Sequence, residues 1–344
     1  MSEKLIEVNN LNTSFYTHLG EVQAIRGVNF FINKGEAVGI VGESGSGKSV
    51  TALSVLRLLQ HPGTIKSGEI IFKGENLLEK SENEMSKIRG NEISMIFQDP
   101  MTSLNPVFKI GDQIMETILI HNKISKKDAR KKAIEMLELV SIPSPELRID
   151  SYPHEMSGGM RQRVMIAMSL SCQPDLLIAD EPTTALDVTI QAQIMSLLKD
   201  LQTKMNVSIL LITHDLGVVA DVCERIIVMY GGLIMEIGGV RDIFYNPSHP
   251  YTRGLLNAVP NPELNKANRL STIPGKPPEL LNPASGCPFA KRCPNAMSIC
   301  IRQLPPNFKV SEKHFSMCWQ LHPQMPKKGI YEYKGEDKND SGKQ

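Results

Sequence analysis

The feature that most constrains this chain is a glycine-rich stretch near its N-terminus, GESGSGKS at residues 42–49. It matches the pattern G-x-x-x-x-G-K-[ST], in which backbone N–H groups wrap the phosphates of a nucleotide. The five residues before it, Ala37–Val41, are all apolar and predict a short buried strand, and residues 50–59 have apolar side chains at helical spacing. A strand, a glycine loop and a helix in this order predict a phosphate-binding loop at the positive end of the helix.

Each residue type in this loop has its own role in phosphate binding. We expect Lys48 to reach the β and γ phosphates and the hydroxyl of Ser49 to supply an oxygen ligand to Mg²⁺. A chance match would lack the flanking strand and helix, so the context favours nucleotide binding. The residues predicted to contact the nucleotide are Gly42, Glu43, Ser44, Gly45, Ser46, Gly47, Lys48, Ser49 and Val50.

Two later apolar runs also predict strands that end in chemically useful residues. Residues 176–179 are followed by Asp180 and Glu181, and residues 208–212 are followed closely by His214. Ligands bind at the carboxyl ends of parallel strands, so Asp180 is expected to hold Mg²⁺ and Glu181 to polarise the attacking water. His214 is expected to reach the γ phosphate.

The order of elements predicts a parallel α/β core with helices on both faces. Short β-like runs lie in residues 4–33, a helical pattern extends over 112–140, and another helix is expected at 189–205. After about Gly239, frequent prolines predict a loop-rich C-terminal extension. The last residues, from about Lys334, are polar and charged and predict disorder.

Charge and hydropathy exclude several classes of protein. Lys and Arg number 38 against 37 Asp and Glu, a formal net charge of +1, which argues against a basic nucleic-acid surface over the whole molecule. The N-terminal residues do not look like a secretory signal, and the apolar runs are far shorter than the roughly 20 residues that span a bilayer. We therefore expect a cytoplasmic protein, in which the reducing environment disfavours disulfides among its six cysteines.

Residues 156–163 have the sequence MSGGMRQR, which is similar to the signature motif of a known protein family. With the motifs above, they make the chain resemble the ATP-binding cassette (ABC) ATPases over about residues 4–240. The resemblance implies a P-loop NTPase fold with a RecA-like parallel core, an antiparallel β subdomain and a helical subdomain at about 99–165. Two cassettes would meet head to tail, so that Ser157, Gly158 and Gly159 contact the γ phosphate of ATP held by the opposing subunit. Two methionines replace the usual leucine and glutamine here but leave the serine and glycine amides intact.

The same resemblance implies roles for residues outside the phosphate loop. Gln98 is similar to the family's Q-loop glutamine, which touches Mg²⁺ and the attacking water, and would act with Glu181 and His214 in catalysis. Asp187 matches the D-loop aspartate. The family stacks an aromatic side chain on adenine, and both Phe15 and Tyr16 qualify, with the spacing to the phosphate loop in favour of Phe15.

A closer resemblance extends to about residue 322. Residues 98–106, 244–252 and 273–275 are similar to the dipeptide and oligopeptide importer ATPases. This implies an ATPase on the cytoplasmic face of the cell membrane that pairs with a second homologous ATPase and two transmembrane permease subunits, fed by an extracellular peptide-binding protein. The helical subdomain would receive the permeases. The implied domains are a cassette at 4–240, an extension at 241–325 and a polar tail at 326–344.

Four cysteines lie close together in the extension. Their spacing is Cys287-x5-Cys293-x6-Cys300-x17-Cys318, whereas Cys172 and Cys223 are isolated and are expected to be small core residues. Four thiolates suit tetrahedral zinc or a 4Fe-4S cluster. The chain lacks the short knuckles of structural zinc sites, and the resemblance implies an iron–sulfur cluster on such cysteines. A 4Fe-4S cluster is therefore favoured, with zinc and free buried thiols as alternatives.

Other functions fit the motifs less well. A non-transport ABC protein acting on ribosomes or DNA would carry two cassettes or a long coiled coil, and neither is visible. A P-loop kinase would not explain residues 157–163. Within the importers, nickel or another peptide-like solute remains the alternative cargo, because the cassette itself does not touch the solute.

Overall fold

The computed structural model describes residues 3–98, 103–184, 186–258 and 273–325. Expectations that fall on residues 99–102, on residue 185 and on the tail 326–344 lie outside these ranges. The strands within them are β1 Lys4–Thr17, β2 Gly20–Asn33, β3 Ala37–Val41, β4 Gly63–Phe72, β5 Glu75–Asn76, β6 Ile93–Ile96, β7 Leu176–Asp180, β8 Ser208–Thr213, β9 Arg225–Tyr230, β10 Leu233–Gly239, β11 Phe308–Lys309 and β12 Phe315–Ser316. The α-helices are α1 Lys48–Val55, α2 Glu82–Ile88, α3 Ile110–His121, α4 Lys126–Leu139, α5 Pro145–Arg148, α6 Gly158–Leu170, α7 Val188–Met205, α8 Leu216–Val222, α9 Val240–Tyr245, α10 Pro250–Ala258 and α11 Ser298–Arg302.

The larger sheet contains the parallel core predicted from the alternation of strands and helices. Its order is β11-β12-β10-β9-β3-β8-β7-β6, and the five strands from β9 to β6 run parallel to one another, whereas β10 pairs antiparallel with β9. Strand β3 lies between β8 and β9. Because the carboxyl ends of β3, β7 and β8 meet at one edge of the sheet, the residues that follow these strands converge there.

Strand β3 separates two hydrophobic clusters, which explains its unbroken apolar sequence. Val38 and Ile40 pack in the cluster that includes the antiparallel sheet, α1 and α2. Ala37 and Val41 pack on the other side with α3, α4, α6 and α7. Alternate residues of a strand point to opposite faces, so a strand covered on both faces is apolar throughout. The predicted helices on both faces are confirmed.

A second sheet is antiparallel, with the order β2-β1-β4-β5. Strands β1 and β2 form one long hairpin, whereas the sequence patterns indicated only short runs within residues 4–33. The register of this hairpin shifts between Val8 and Leu11 and again between Thr13 and Ser14. Such irregularities break the two-residue alternation on which strand prediction depends.

The helical layer differs from the single pattern expected over residues 112–140. It contains two helices, α3 and α4, separated at residues 122–125. Asn122 has an extended backbone with ψ 131°, which ends α3. The Ser125 hydroxyl accepts from the backbone N–H of Asp128 at 3.2 Å and so caps α4. The capping serine is the local reason for the break.

The C-terminal extension adds strands to the core sheet. Glu236 of β10 lies opposite Ser316 of β12, and β11 pairs with β12 in turn. Elsewhere in residues 273–325 the structure has only α11 and one short 3-10 turn, as expected of a loop-rich segment. None of the helices among the described residues is long and apolar enough to cross a membrane.

Candidate active site

The phosphate-binding loop lies between β3 and α1, and its backbone requires glycine at two positions. Gly47, at the N-terminus of α1, has φ +103°, and a Cβ there would lie 2.7 Å from the carbonyl oxygen of Ala24. A Cβ on Gly42 would lie 2.2 Å from the carbonyl oxygen of Met229. Since real Cβ atoms do not approach backbone this closely, larger residues would displace the loop.

Lys48 is held inside this loop with its side chain almost fully buried. Its Nζ donates to the carbonyl oxygens of Gly42 at 2.8 Å and Glu43 at 3.1 Å. Burial lowers the pKa of Lys48, while the nearby carboxylates of Glu181, Asp180 and Glu43 act in the opposite direction. The Ser46 hydroxyl is also buried and has no hydrogen-bond partner among the described residues. A cation and an unpaired hydroxyl inside an amide-lined loop suit a phosphate group.

Ser49 and Asp180 meet at the start of α1. The Ser49 hydroxyl donates to Asp180 Oδ1 at 3.0 Å, and the Asp180 side chain is 5% exposed. Burial raises the pKa of Asp180. A hydroxyl and a carboxylate oxygen at this distance are the hard oxygen ligands that Mg²⁺ prefers.

Glu181 is oriented by three side chains. Its Oε2 accepts hydrogen bonds from Gln98 Nε2 at 3.0 Å and from Thr184 Oγ1 at 2.9 Å. Its Oε1 lies 3.2 Å from His214 Nδ1. Burial acts to raise the pKa of Glu181, but the hydrogen bonds with His214 and Thr184 outweigh it and hold the pKa below its ordinary value. The carboxylate is therefore ionised and able to accept a proton.

The backbone of Glu181 has an unusual conformation for a non-glycine residue. Its φ is +47°, in the left-handed region, and its N–H donates to the carbonyl oxygen of Ile212 at 2.8 Å. Such strained conformations cluster at functional sites. The structure thus brings together Lys48, Ser49, Asp180, Glu181, Gln98 and His214, and their roles in nucleotide binding and catalysis stay predictions.

The predicted signature lies at the start of α6. Ser157 is exposed, and its hydroxyl accepts from the backbone N–H of Met160 at 3.3 Å, which caps the helix. A Cβ on Gly159 would lie 2.8 Å from Ile190 Cγ2, so the helix approaches α7 closely at this glycine. Within the described ranges, no hydrogen bond joins Ser157, Gly158 or Gly159 to the phosphate-binding loop of the same chain.

The predicted D-loop residue Asp187 also has a capping role. Its carboxylate accepts from the backbone N–H of Ile190 at 3.2 Å at the start of α7. This structural use accounts for the side chain without a nucleotide. Its predicted contact with nucleotide stays a prediction.

Phe15 and Tyr16 lie side by side on β1 with different environments. Phe15 is half-buried and packs so closely on Gly63 that a Cβ there would lie 2.8 Å from the Phe15 ring. Tyr16 is 50% exposed. Neighbouring residues of a strand project to opposite sides, so only one of the two rings can stack on a given adenine.

The four cysteines of the extension line one cavity of about 10 Å³. Burial raises the pKa of Cys287 to about 12 and that of Cys318 to about 11. No group of three or more His, Cys, Asp or Glu side chains among the described residues is arranged to hold a metal ion. The described residues therefore show no metal-binding geometry for the predicted 4Fe-4S cluster or for zinc as its alternative, and both stay predictions.

The two isolated cysteines differ from each other. Cys223 is buried as expected for a core residue. The same expectation was wrong for Cys172, which is only half-buried; its Sγ donates at 3.7 Å to the carbonyl oxygen of Thr117.

Three residues near the site were missed by the sequence patterns. Thr184 contacts Glu181, whereas Tyr251 and Arg292 contact Glu43 of the phosphate-binding loop. Tyr251 and Arg292 belong to the extension, 208 and 249 residues from Glu43 along the chain. A local motif carries no signal for contacts of this separation.

A lysine in a phosphate loop and an oriented carboxylate at the end of a neighbouring parallel strand suit the hydrolysis of a nucleoside triphosphate. The added antiparallel sheet and the serine-capped helix α6 place the chain in the ABC class of ATPases. Residues 25–184 match the family described as ABC transporter. Residues 235–300 match the family described as Oligopeptide/dipeptide transporter, C-terminal region.

Relatives at high identity narrow the class further. The chain is 59% identical over 325 residues to the Oligopeptide transport ATP-binding protein OppD of Bacillus subtilis (strain 168), with 94% of this chain and 91% of the relative covered. It is 56% identical over 318 residues to the Dipeptide transport ATP-binding protein DppD of the same organism, covering 92% and 95%. The chain belongs to this family of oligopeptide and dipeptide transport ATP-binding proteins.

Solved structures agree with the fold of the cassette. The dimeric structure of a post-hydrolysis state of the ATP-binding cassette MJ0796, bound to ADP and Pi, superimposes with a TM-score of 0.62 at 28% identity. The match covers 69% of this chain and 99% of that one. The uncovered part of this chain leaves room for an extension beyond a cassette.

Proposed function

We propose that this chain hydrolyses ATP to power the import of dipeptides or oligopeptides through a membrane transporter. The single observation that carries the proposal is the pairing of an oriented Glu181 with an extension that matches the oligopeptide/dipeptide transporter C-terminal region. The names of the relatives at 59% and 56% identity support a peptide as the cargo. Nickel or another peptide-like solute is the alternative, since the cassette does not contact the cargo.

The residues of the site divide the chemistry between binding and proton transfer. The loop amides and Lys48 hold the phosphates, and Glu181 orients a water molecule towards the γ phosphorus. As the water oxygen bonds to phosphorus, the bond to the β–γ bridging oxygen breaks and Glu181 accepts the water proton. Gln98 and His214 keep the carboxylate in position for this step.

Mg²⁺ would be held by Ser49 and Asp180, which are hydrogen-bonded to each other, and by Gln98, which contacts the neighbouring Glu181. The donor chemistry fits, because all of these side chains offer oxygen to a hard cation. When bound, the ion neutralises charge on the phosphates.

A second cassette would complete the site. Ser157 is exposed at the N-terminus of α6, where free backbone N–H groups and the helix dipole favour an anion. In this proposal Ser157, Gly158 and Gly159 contact ATP bound to the partner, and the partner is a homologous ATPase of the same transporter. Asp187 would lie at the same junction.

A groove next to the active site supports docking on membrane subunits. It has a volume of about 470 Å³ and lies between β6, α3 and α6, lined by Met95, Phe97, Thr117, Met165 and Met168 among others. Val107 and Phe108, which precede α3, are also exposed apolar side chains. Methionine-rich grooves adapt to apolar helices. We assign this surface to two transmembrane permease subunits, which would hold the chain at the cytoplasmic face of the membrane and receive solute from an extracellular binding protein.

The division into a cassette at 4–240, an extension at 241–325 and a tail at 326–344 belongs to the same proposal. A 4Fe-4S cluster on Cys287, Cys293, Cys300 and Cys318, with zinc as the alternative, is part of it as well. Four thiols on one cavity support it. Because that cavity is only about 10 Å³ and no metal-binding group is arranged among the described residues, the thiols would have to rearrange to hold the cluster.

The decisive experiment is reconstitution. The chain is co-purified with its permeases from the native membrane and placed in vesicles with the binding protein, and ATP-driven uptake of labelled dipeptide, oligopeptide and nickel is compared. Peptide uptake that requires ATP and stops with Glu181→Gln supports the proposal. Uptake of nickel alone would replace the cargo, and hydrolysis without association with any permease would overturn the transport function.

A further inference from the structure

The phosphate-binding loop is clamped from outside the cassette core by a residue of the C-terminal extension. The guanidinium of Arg292 binds the carboxylate of Glu43 in two-pronged fashion, with Nη1 to Oε2 at 2.5 Å and Nη2 to Oε1 at 3.0 Å. Glu43 is the second residue of the loop motif. A residue distant in sequence is therefore bound directly to the nucleotide-binding loop.

Every N–H group of the Arg292 guanidinium donates a hydrogen bond to a neighbouring residue. Nη1 also donates to the Tyr230 hydroxyl at 3.0 Å, and Nη2 donates to the carbonyl oxygen of Ile273 at 3.1 Å. Nε donates to the carbonyl oxygen of Pro274 at 2.9 Å. All five N–H groups of the side chain thus have partners, so its position is fixed.

This ion pair is largely shielded from solvent. The Arg292 side chain is 6% exposed and that of Glu43 is 25% exposed. Hydrogen bonding to Glu43 raises the pKa of Arg292, so the guanidinium stays charged. Charges in such a place are screened less than surface charges, and removing one partner leaves the other uncompensated.

The backbone of Glu43 is held as well. Its N–H donates to the hydroxyl of Tyr251, a buried residue of the extension, at 2.8 Å. Its carbonyl oxygen accepts from Lys48 Nζ at 3.1 Å. The peptide group between Gly42 and Glu43 therefore accepts from Lys48 through the Gly42 carbonyl oxygen and donates to Tyr251 of the extension through the Glu43 N–H.

The charges of Glu43 and Arg292 affect nucleotide binding. The nucleotide phosphates are strongly anionic, and a bare carboxylate in the loop that wraps them would repel them. At an effective dielectric near 20 and a separation of several ångströms, one uncompensated charge changes affinity by roughly tenfold or more. Arg292 supplies the compensating charge at the loop itself.

We propose that Arg292 is a positioning residue for nucleotide binding, through which the C-terminal extension neutralises Glu43 and fixes the first turn of the phosphate-binding loop. The inference rests on ATP binding at this loop but not on the identity of the cargo. ATP affinity in the cassette thereby depends on the extension.

A double-mutant cycle tests this in the full-length protein. Arg292→Gln, Glu43→Gln and the double variant are compared with wild type for the Kd of ATP and for KM and kcat of hydrolysis, and Lys291→Gln is the matched control from the exposed neighbouring position. We expect Arg292→Gln to raise Kd and KM roughly tenfold while kcat changes less. In the Glu43→Gln background the same substitution should change Kd by less than about twofold, because the charge it compensates is gone.

An equal loss of affinity in both backgrounds would show a general structural role and overturn the inference, as would an unchanged Kd in Arg292→Gln. Melting without nucleotide separates loss of fold from loss of affinity. If Arg292→Gln does not fold, Arg292→Met, which also removes the charge, is measured in the same two backgrounds with the same expectation. If the wild type binds ATP and shows this coupling but imports no peptide, only the proposed transport function fails.

Discussion

The side-chain amide of Gln98 donates to Oε2 of Glu181 at 3.0 Å, joining the loop after β6 to the carboxylate that follows β7. Residues 103 onwards lead from that loop into the helical layer and its apolar groove. The carboxylate is therefore held by the segment that leads to the proposed docking surface for the permeases. If the permeases dock there as proposed, we expect movement of that segment to change the orientation of Glu181 and so to link docking to hydrolysis.

Replacing the oriented carboxylate tests its role in turnover. We expect Glu181→Gln to lower kcat by about two to four orders of magnitude, the usual contribution of a general base. ATP affinity should stay near that of wild type, because Lys48 and the loop amides are untouched. Steady-state hydrolysis and equilibrium ATP binding measure the two effects, and size-exclusion chromatography with ATP should show a stable closed dimer in the presence of the partner cassette. Near-normal hydrolysis would exclude Glu181 as the base.

Removing the cation of the loop should affect binding rather than the chemical step alone. Lys48→Ala leaves the carbonyl oxygens of Gly42 and Glu43 without their donor and the phosphates without a positive charge. A hydrogen bond to a charged group contributes about 1.5–3 kcal/mol, so ATP affinity should fall roughly tenfold to a hundredfold. Calorimetry with ATP and with ADP measures this. Lys34→Ala, on an exposed turn before β3, is the control, and unchanged ATP affinity in Lys48→Ala would contradict the phosphate-cradle assignment.

The adenine contact can be assigned by comparing two neighbouring residues. Spacing favours Phe15, so we expect Phe15→Ala to weaken ATP and ADP binding equally, by about fivefold or more, since base stacking contributes about 1–3 kcal/mol. Phe15→Trp should keep the affinity because the ring is retained. Binding of inorganic triphosphate, which has no base, should not change. If Tyr16→Ala causes the loss instead, the stacking residue is Tyr16.

The parts of the fold and site that could be predicted are those that depend on a short continuous segment of the sequence. Strand β3 was predicted with its observed bounds because a strand buried on both faces is apolar at every position. Asp180 and Glu181 could be placed because Asp180 ends such a strand and Glu181 directly follows it. His214 could be placed for the same reason, and its contact with Glu181 follows from the parallel pairing of β7 and β8.

The contacts that could not be predicted depend on the tertiary fold. Arg292 reaches Glu43 across 249 residues through a proline-rich segment without regular periodicity. The pairing of β12 with β10 involves only two short stretches, which are too short for an alternating apolar pattern to predict a strand pair. The full length of the β1–β2 hairpin could not be predicted, because each register shift reverses which side chains face the core and so interrupts the alternating pattern.

The next prediction concerns the cavity lined by the four cysteines, and it is about the metal content of the protein rather than its activity. Protein purified without oxygen should be brown and contain iron and labile sulfide, and Cys318→Ser or Cys287→Ser should lower the iron content. Cys172→Ser, far from the cavity in sequence and absent from its lining, is the control and should keep the iron. Metal analysis and visible absorption give the answer. Colourless protein with stoichiometric zinc would assign zinc instead, and metal-free protein would leave four buried thiols.

The last prediction concerns the apolar groove. If it is a docking surface, an introduced charge should weaken permease binding more inside the groove than on the surface beside it. Met168 lines the groove and is half-buried, whereas Ile120, on α3, is 70% exposed and outside the lining. A carboxylate in the groove would have to be desolvated when an apolar helix docks, at a cost of several kcal/mol. We therefore expect Met168→Glu to lose co-purification with the permeases and Ile120→Glu to retain it, with ATP affinity preserved in both. Equal retention by the two variants would place the permease contact elsewhere on the chain.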